Sequence, residues 1–197
     1  MSQVLDDNAL DQLFRKGRTY NGYLDKPVST EQLHAIWDLM KYGPTSANML
    51  PSRLVWIVSD EAKAKLASLS GDTNGPKIMQ APASVIIGMD VDFHEQLPWL
   101  FPHNQDAKNW FGDPAAREVM ALRNSSLQGG YFIMAARALG LDTGPMSGFD
   151  NAGVDAAFFG ETPNVKSNFI STLGYGDPAT IFDRSPRPGF ETFNTII

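Results

Sequence analysis

The chain contains no cysteine. That absence removes disulfides, thiolate nucleophiles and cysteine-ligated metal or iron–sulfur centres together, and leaves packing as the source of stability. A basic run is missing as well: the formal charge is −6 and the lysines and arginines are dispersed. Nucleic acid and anionic bilayers both demand concentrated positive charge, so a small molecule is the expected partner. No apolar stretch reaches bilayer-spanning length. The N-terminus carries Asp6, Asp7 and Asp11 without the basic start and apolar run of a secretion signal, so the protein is expected to be cytoplasmic. Nor is there a Gly-x-Gly-x-x-Gly after a strand, a Walker loop, a His-Glu-x-x-His or a Gly-x-Ser-x-Gly elbow. Rossmann, nucleotide-hydrolase, zinc-protease and hydrolase readings lose their main support. His34, His94 and His103 are scattered, the first on the polar side of a helix and the others in a long loop, and no metal ligand set is expected.

What is present suffices for one core and one domain, 1–197: 197 residues, 43% hydrophobic and 11% aromatic. Residues 6–15 read as a helix with Leu10, Leu13 and Phe14 three and four apart. Ser29 with Gln32 makes a capping box for a helix over 30–42, whose Leu33, Ile36, Trp37 and Met40 share a face. A strand is expected over 54–58, a helix capped by Asp60 to about 69, a glycine-rich loop over 71–76 and a strand over 83–89. The excursion 90–113 is too long for an ordinary connection and holds Phe93, Trp99, Phe101, Trp110 and Phe111, so it is expected to roof something. Pro114 opens a helix that Gly140 closes. It is apolar on nearly every side over 127–138 and is expected in the core. A glycine and proline loop over 141–149, a helix over 151–159 and a strand over 169–174 follow. In the proline-rich tail Phe193, Thr195 and Ile197 alternate like a strand expected to pair with another subunit. The order predicts an α+β fold, a three-layer sandwich of a central mixed sheet with helices on both faces.

One turn concentrates chemistry. Pro44 and Pro51 fix the backbone at either end of a stretch in which Thr45, Ser46 and Asn48 offer two hydroxyls and a carboxamide to a small polar ligand.

Four segments together resemble the nitroreductase family of homodimeric FMN proteins. They are Arg18-Thr19 before Lys26-Pro27-Val28; Pro44-Thr45-Ser46-x-Asn48-x-x-Pro51; Gly140-Leu141 leading to Pro145-Met146-Ser147-Gly148-Phe149; and Gly174-Tyr175-Gly176 before Arg184-Ser185-Pro186-Arg187-Pro188. The chain departs from the family pattern at Asn21, where a second arginine is usual, at Leu50 in place of glutamine and at Ser52 in place of an aromatic residue. The resemblance implies FMN at a homodimer interface, with the tail exchanged between subunits. Arg18 and Arg187 would grip the phosphate with Arg184 as a third cation, beside Thr19 and Asn21; Pro44, Thr45, Ser46 and Asn48 would come from the partner to the ribityl and dimethylbenzene side. Asn74 and Lys77 would meet the pyrimidine edge, where a cation stabilises the reduced ring. Pro145, Met146, Ser147 and Gly148 would lie against the ring, the backbone N–H groups of the last two beside N5. The implied activity is ping-pong hydride transfer from NADH or NADPH, with no side-chain acid or base required. The implied substrate is malonic semialdehyde, reduced to 3-hydroxypropionate in bacterial uracil (pyrimidine) degradation. A nitroaromatic or quinone reductase of the same fold, and a flavin-binding or storage protein without turnover, are the alternatives. Lys108, Arg53 and Arg123 are the candidates to hold a substrate carboxylate.

Overall fold

In a computed structural model describing residues 3–197, strands β1 (Ser52–Ile57), β2 (Ala83–Asp90), β3 (Asp142–Met146) and β4 (Val165–Gly174) form one sheet in the order β1-β2-β4-β3. All three pairings are antiparallel, and parallel pairing enters among the described residues through the bridge between Thr19 and Thr143. Strand β2 is buried along its whole length, and its alternating side chains divide the core in two. Ala83, Val85 and Ile87 pack with Phe132, Leu141 and Leu173 under helices α2 (Thr30–Met40) and α6 (Pro114–Ala138), which contribute Leu33, Ile36, Met40 and Ala136. Ile86 faces the other way, onto Ile57, Ile170, Leu66 of α3 (Asp60–Ser68), Ile78 of α4 (Gly75–Gln80) and Val154 of α7 (Asn151–Phe158). The result is the expected three-layer sandwich, each fully buried aliphatic or aromatic side chain contributing roughly 1.5 to 3 kcal/mol. A third cluster, Met49, Met89, Phe93, Leu97, Ala107 and Ala121, anchors the 90–113 excursion and its one-turn helix α5 (Leu97–Leu100).

Local chemistry accounts for the element boundaries. Ser29 Oγ accepts the Gln32 N–H and Gln32 Oε1 accepts the Ser29 N–H, so α2 starts at its capping box. Ser59, rather than Asp60, caps α3. Gly140, at φ 74°, ends α6 in the left-handed region. The first helix, α1 (Asp7–Leu10), widens into a π-type turn over Asp11–Arg15.

Several expectations need correction. Residues 142–146 are a strand, not a loop. Their composition lacks strand formers, but β3 is an edge strand, where Pro145 sacrifices no central ladder bond. Gly144 is required there because a Cβ would meet Thr172 Oγ1 at 2.4 Å. Strand β4 begins four residues earlier than expected because a bulge opposite Ile87 and Gly88 inserts Asn168 and breaks the alternation. The glycine-rich loop ends sooner, as Gly75 and Pro76 already belong to α4. Helix α6 is not enclosed: Leu122, Leu127 and Tyr131 are exposed, as is Trp37 of α2. The tail forms one helical turn, α8 (Phe190–Phe193), rather than an extended strand, and Phe182, Phe193, Ile196 and Ile197 lie in solvent.

Candidate functional site

Two connections bring distant segments to the β3 edge. The Thr19–Thr143 bridge lays the N-terminal segment along β3, and the bridge between Tyr23 and Gly176 ties it to the end of β4. The tail then folds back over it. Asn21 Nδ2 donates to the Thr180 carbonyl at 3.0 Å, Gly22 N–H donates to Thr180 Oγ1 at 3.0 Å, and Arg18 donates to the Phe182 carbonyl. Arg184 Nη2 donates to the Arg15 and Gly17 carbonyls at 2.9 and 3.1 Å, and Arg187 Nη1 to the Ser185 and Pro186 carbonyls at 3.0 and 3.1 Å. The cavity they border, about 240 Å³ and open to solvent, is lined by Arg18, Thr19, Asn21, Arg137, Arg184 and Arg187 among others.

Four arginines and one acidic residue, Asp183, thus line one cavity in a chain of net charge −6, and among the described residues none of the four guanidinium groups is ion-paired to a carboxylate. Burial holds the Arg137 guanidinium below the usual arginine range. The Asp142 carboxylate opposes that, and the like charge of Arg184 adds to it. Burial also raises Asp142, against the N–H of Gly176, which it accepts at 3.0 Å, and against Arg137. A cluster of this kind is stabilised by an anion, and the planar fork of arginine matches phosphate.

The other end of β3 carries a different set. Gly71 N–H donates to the Gly148 carbonyl at 3.0 Å, Asp150 N–H to Leu69 at 2.8 Å, and Asn74 Nδ2 to the same Gly148 carbonyl at 3.0 Å. Asn74 and Gly148, 74 positions apart in sequence, are therefore in direct contact. A Cβ on residue 148 would sit 2.9 Å from Asn74 Nδ2, so glycine permits that approach. Ser147 and Gly148 are exposed, and their N–H groups take no part in these loop bonds. Pro145 and Met146 are half-buried at the end of β3, and half-buried Lys77 follows one turn after Asn74 on α4. Five steps of extended backbone, Asp142 to Ser147, separate the guanidinium end from the amide end by roughly 17 Å.

The 44–51 turn is elsewhere. It precedes β1, at the opposite edge of the sheet from β3, so Pro44, Thr45, Ser46 and Asn48 do not meet the arginines or Gly148 within one protomer. The turn is strained: Ala47, Asn48 and Leu50 have φ of 48°, 50° and 38°, a conformation costly to side chains bearing a Cβ. Buried amides hold it. Asn124 Oδ1 accepts the Ser46 N–H and Gln128 Oε1 the Ser52 N–H, both at 2.9 Å, and Asn48 Nδ2 donates to the Leu100 carbonyl at 2.8 Å. Pro44, Ser46 and Asn48 remain exposed.

Of the candidate carboxylate holders, Arg53 pairs with buried Asp90 at 2.5 Å and Lys108 with Glu95, while Arg123 has no carboxylate partner among the described residues. The 90–113 excursion lies beside the turn through Leu100 and exposes Trp99 and Trp110. Sequence reasoning missed Arg137, Asn124 and Gln128. For Asn124 and Gln128 the available signal was polar side chains among the sheet-facing positions of an otherwise apolar helix; Arg137 gave no such signal. Among the described residues no cluster of three or more His, Cys, Asp or Glu could bind a metal, and no helix is long and apolar enough to cross a membrane.

A sheet edge with a guanidinium cradle at one end and unspent amides at the other defines an α+β protein shaped for a long ligand with an anionic terminus. The sequence profile described as "Nitroreductase family" matches residues 15–175, and the chain belongs to that family. A relative from Caulobacter sp. (strain K31), named "Putative NADH dehydrogenase/NAD(P)H nitroreductase", is 61% identical over 98% of each chain. Among solved structures, ydfN of Bacillus subtilis, described as a "putative nitroreductase", superposes with a TM-score of 0.85 at 20% identity, covering 98% of this chain and 100% of that one. A structure from Exiguobacterium sibiricum 255-15, determined in complex with FMN, has a TM-score of 0.84 at 22% identity and covers 100% of both chains.

Proposed function

We propose that this protein is an FMN-dependent NAD(P)H oxidoreductase. The observation that carries the reading is the single β3 edge joining the arginine cavity to the Asn74–Gly148 contact: one end suits the phosphate of FMN, the other the polar edge of its ring. FMN, when bound, supplies reversible hydride exchange between NADH or NADPH and an oxidised substrate. The chain's own work is to bind and orient. Arg18, Arg184 and Arg187 neutralise the phosphate, with Thr19 and Asn21 beside them. Asn74, already fixed by the Gly148 carbonyl, would offer its remaining polar atoms to the pyrimidine edge; Lys77 would favour negative charge there; and the Ser147 and Gly148 N–H groups, next to Pro145 and Met146, would serve as donors to the redox atom. Purified protein is expected to show a flavin absorbance band that NAD(P)H bleaches. A band that NAD(P)H leaves unchanged would make this a flavin-storage protein instead.

The substrate proposed is malonic semialdehyde, reduced to 3-hydroxypropionate. The support is the resemblance of the 20–28 run and the 44–48 turn to the malonic semialdehyde reductase RutE of bacterial uracil breakdown. The relatives' names favour a second reading, reduction of nitroaromatic compounds. Steady-state kcat/KM for malonic semialdehyde beside a nitroaromatic and a quinone decides between them. Arg123, the unpaired candidate, is the cation proposed for the substrate carboxylate.

The working form proposed is a homodimer. The support is the exposed apolar face of α6, the exposed apolar tail, and the distance of the 44–51 turn from the β3 edge of its own protomer. The tail of one copy would lie on the β1 edge of the other, beside a cavity of about 600 Å³ lined by Val28, Leu33, Trp37, Trp56 and Val58.

A further inference from the structure

Arg137 comes to the anion cavity from the last turn of α6, far in sequence from the two segments that supply the other guanidinium groups. One of its five N–H donors is engaged, Nη1 donating to the Leu13 carbonyl at 2.9 Å. It forms no ion pair among the described residues; the Asp142 carboxylate acts on it from nearby, and the like charge of Arg184, which lines the same cavity, acts in the opposite sense. Arg137 and Arg184 line one cavity with most of the Arg137 N–H donors unengaged, an arrangement that an anion would stabilise. Asn21 offers no charge here, and its amide is committed to the Thr180 carbonyl.

Gly17 explains how the side chain reaches the cavity. A Cβ built on residue 17 would stand 2.5 Å from Arg137 Cζ and 2.7 Å from both Nε and Nη1. The guanidinium therefore lies directly on the glycine backbone. Gly17 is not in the left-handed region, so its backbone does not itself require glycine; the space it leaves is what matters. Because the obstructed atoms are the end of a flexible side chain, an added methyl would move the guanidinium rather than the fold.

We infer that Arg137 is a phosphate-binding residue of this cavity and that Gly17 is the positioning residue that admits it. The inference rests on the reading of the cavity as the FMN phosphate site. It extends that site to a helix that neither the N-terminal nor the C-terminal motif includes.

The test compares FMN with riboflavin, which differ by the phosphate alone, titrating each into apoprotein and following quenching of flavin fluorescence. Wild-type protein is expected to prefer FMN. Arg137→Gln is expected to reduce that preference by about tenfold or more, consistent with loss of one charge-assisted contact, while the riboflavin Kd stays the same. Arg137→Lys should recover part of the preference, and Gly17→Ala should lower it with the melting temperature unchanged. Gly17→Ala keeps every charge, so it tests the placement of the guanidinium even if Arg137→Gln fails to fold. Wild-type preference for FMN that survives both Arg137→Gln and Gly17→Ala would overturn the inference and leave the cavity reading intact. Equal wild-type affinity for the two flavins would overturn the cavity reading, and the inference with it.

Discussion

Arg187 reaches the cavity while its Nη1 donates to two carbonyls of its own loop, Ser185 and Pro186. The guanidinium is thereby pre-oriented, so less conformational entropy is lost when it meets an anion. Arg187→Ala is expected to weaken FMN binding by at least roughly tenfold, about 1.4 kcal/mol. An unchanged Kd, measured by titration into apoprotein, would remove Arg187 from the site. Asn124 works on stability instead. Its side chain is 1% exposed, accepts the Ser46 N–H and donates to the Met120 carbonyl. Asn124→Leu leaves the Ser46 donor unpaired beside a strained turn, a loss of about 1 to 3 kcal/mol. A urea midpoint equal to wild type would mean the turn holds its shape without that clamp. The two residues also differ in legibility. Arg187 was readable because proline and a second arginine surround it in a recognisable string. Arg137 sits in the last turn of a helix, where a cation has the ordinary role of meeting the helix dipole, and nothing local reveals that Gly17, 120 positions away, opens a path for it.

At the scale of elements, α6 carries two adjacent glycines with opposite surroundings. A Cβ on residue 129 would meet the Phe169 ring at 2.4 Å, whereas one on residue 130 would meet nothing within 4 Å. Gly129→Ala is expected to destabilise the protein: forcing the helix off β4 costs about 1 to 3 kcal/mol, more than the roughly 1 kcal/mol gained in helix propensity. Gly130→Ala is expected to gain that propensity in an isolated protomer. If the exposed face around Leu127 and Tyr131 is covered by a second copy, the same methyl weakens the dimer. Thermal unfolding together with light scattering on both variants reads the two signs separately. Here too the sequence was legible in part. The periodic apolar face of α2 and its capping box are local and were readable. So was the length of α6, marked by proline at its start and glycine at its end. The strand character of 142–146 was not, because it comes from pairing with β4 rather than from its own residues, and the bulge at Asn168 hid the first half of β4 from any alternation rule.

Across the whole molecule the unresolved geometry is the separation of the 44–51 turn from the β3 edge. Three inter-strand steps lie between β1 and β3, about 14 Å, and a folded sheet cannot shorten that distance. Either the turn is only a structural corner, or it completes a site that belongs to another copy. Its chemistry favours the second: Pro44, Ser46 and Asn48 are exposed on a strained backbone that buried amides of α6 hold in place, and strain maintained at the surface is a mark of function. Complementation distinguishes the two cases. One chain carries Arg18→Ala with Arg187→Ala, crippling the cavity; the other carries Ser46→Ala with Asn48→Ala, crippling the turn. Each homodimer then has two damaged sites. A mixed dimer with composite sites has one site bearing both defects and one bearing neither, so co-refolding equal amounts should restore high-affinity FMN binding in about a quarter of all sites. If each site were built from a single chain, mixing would restore none, and the stoichiometry of tightly bound FMN after gel filtration separates these outcomes without reference to turnover.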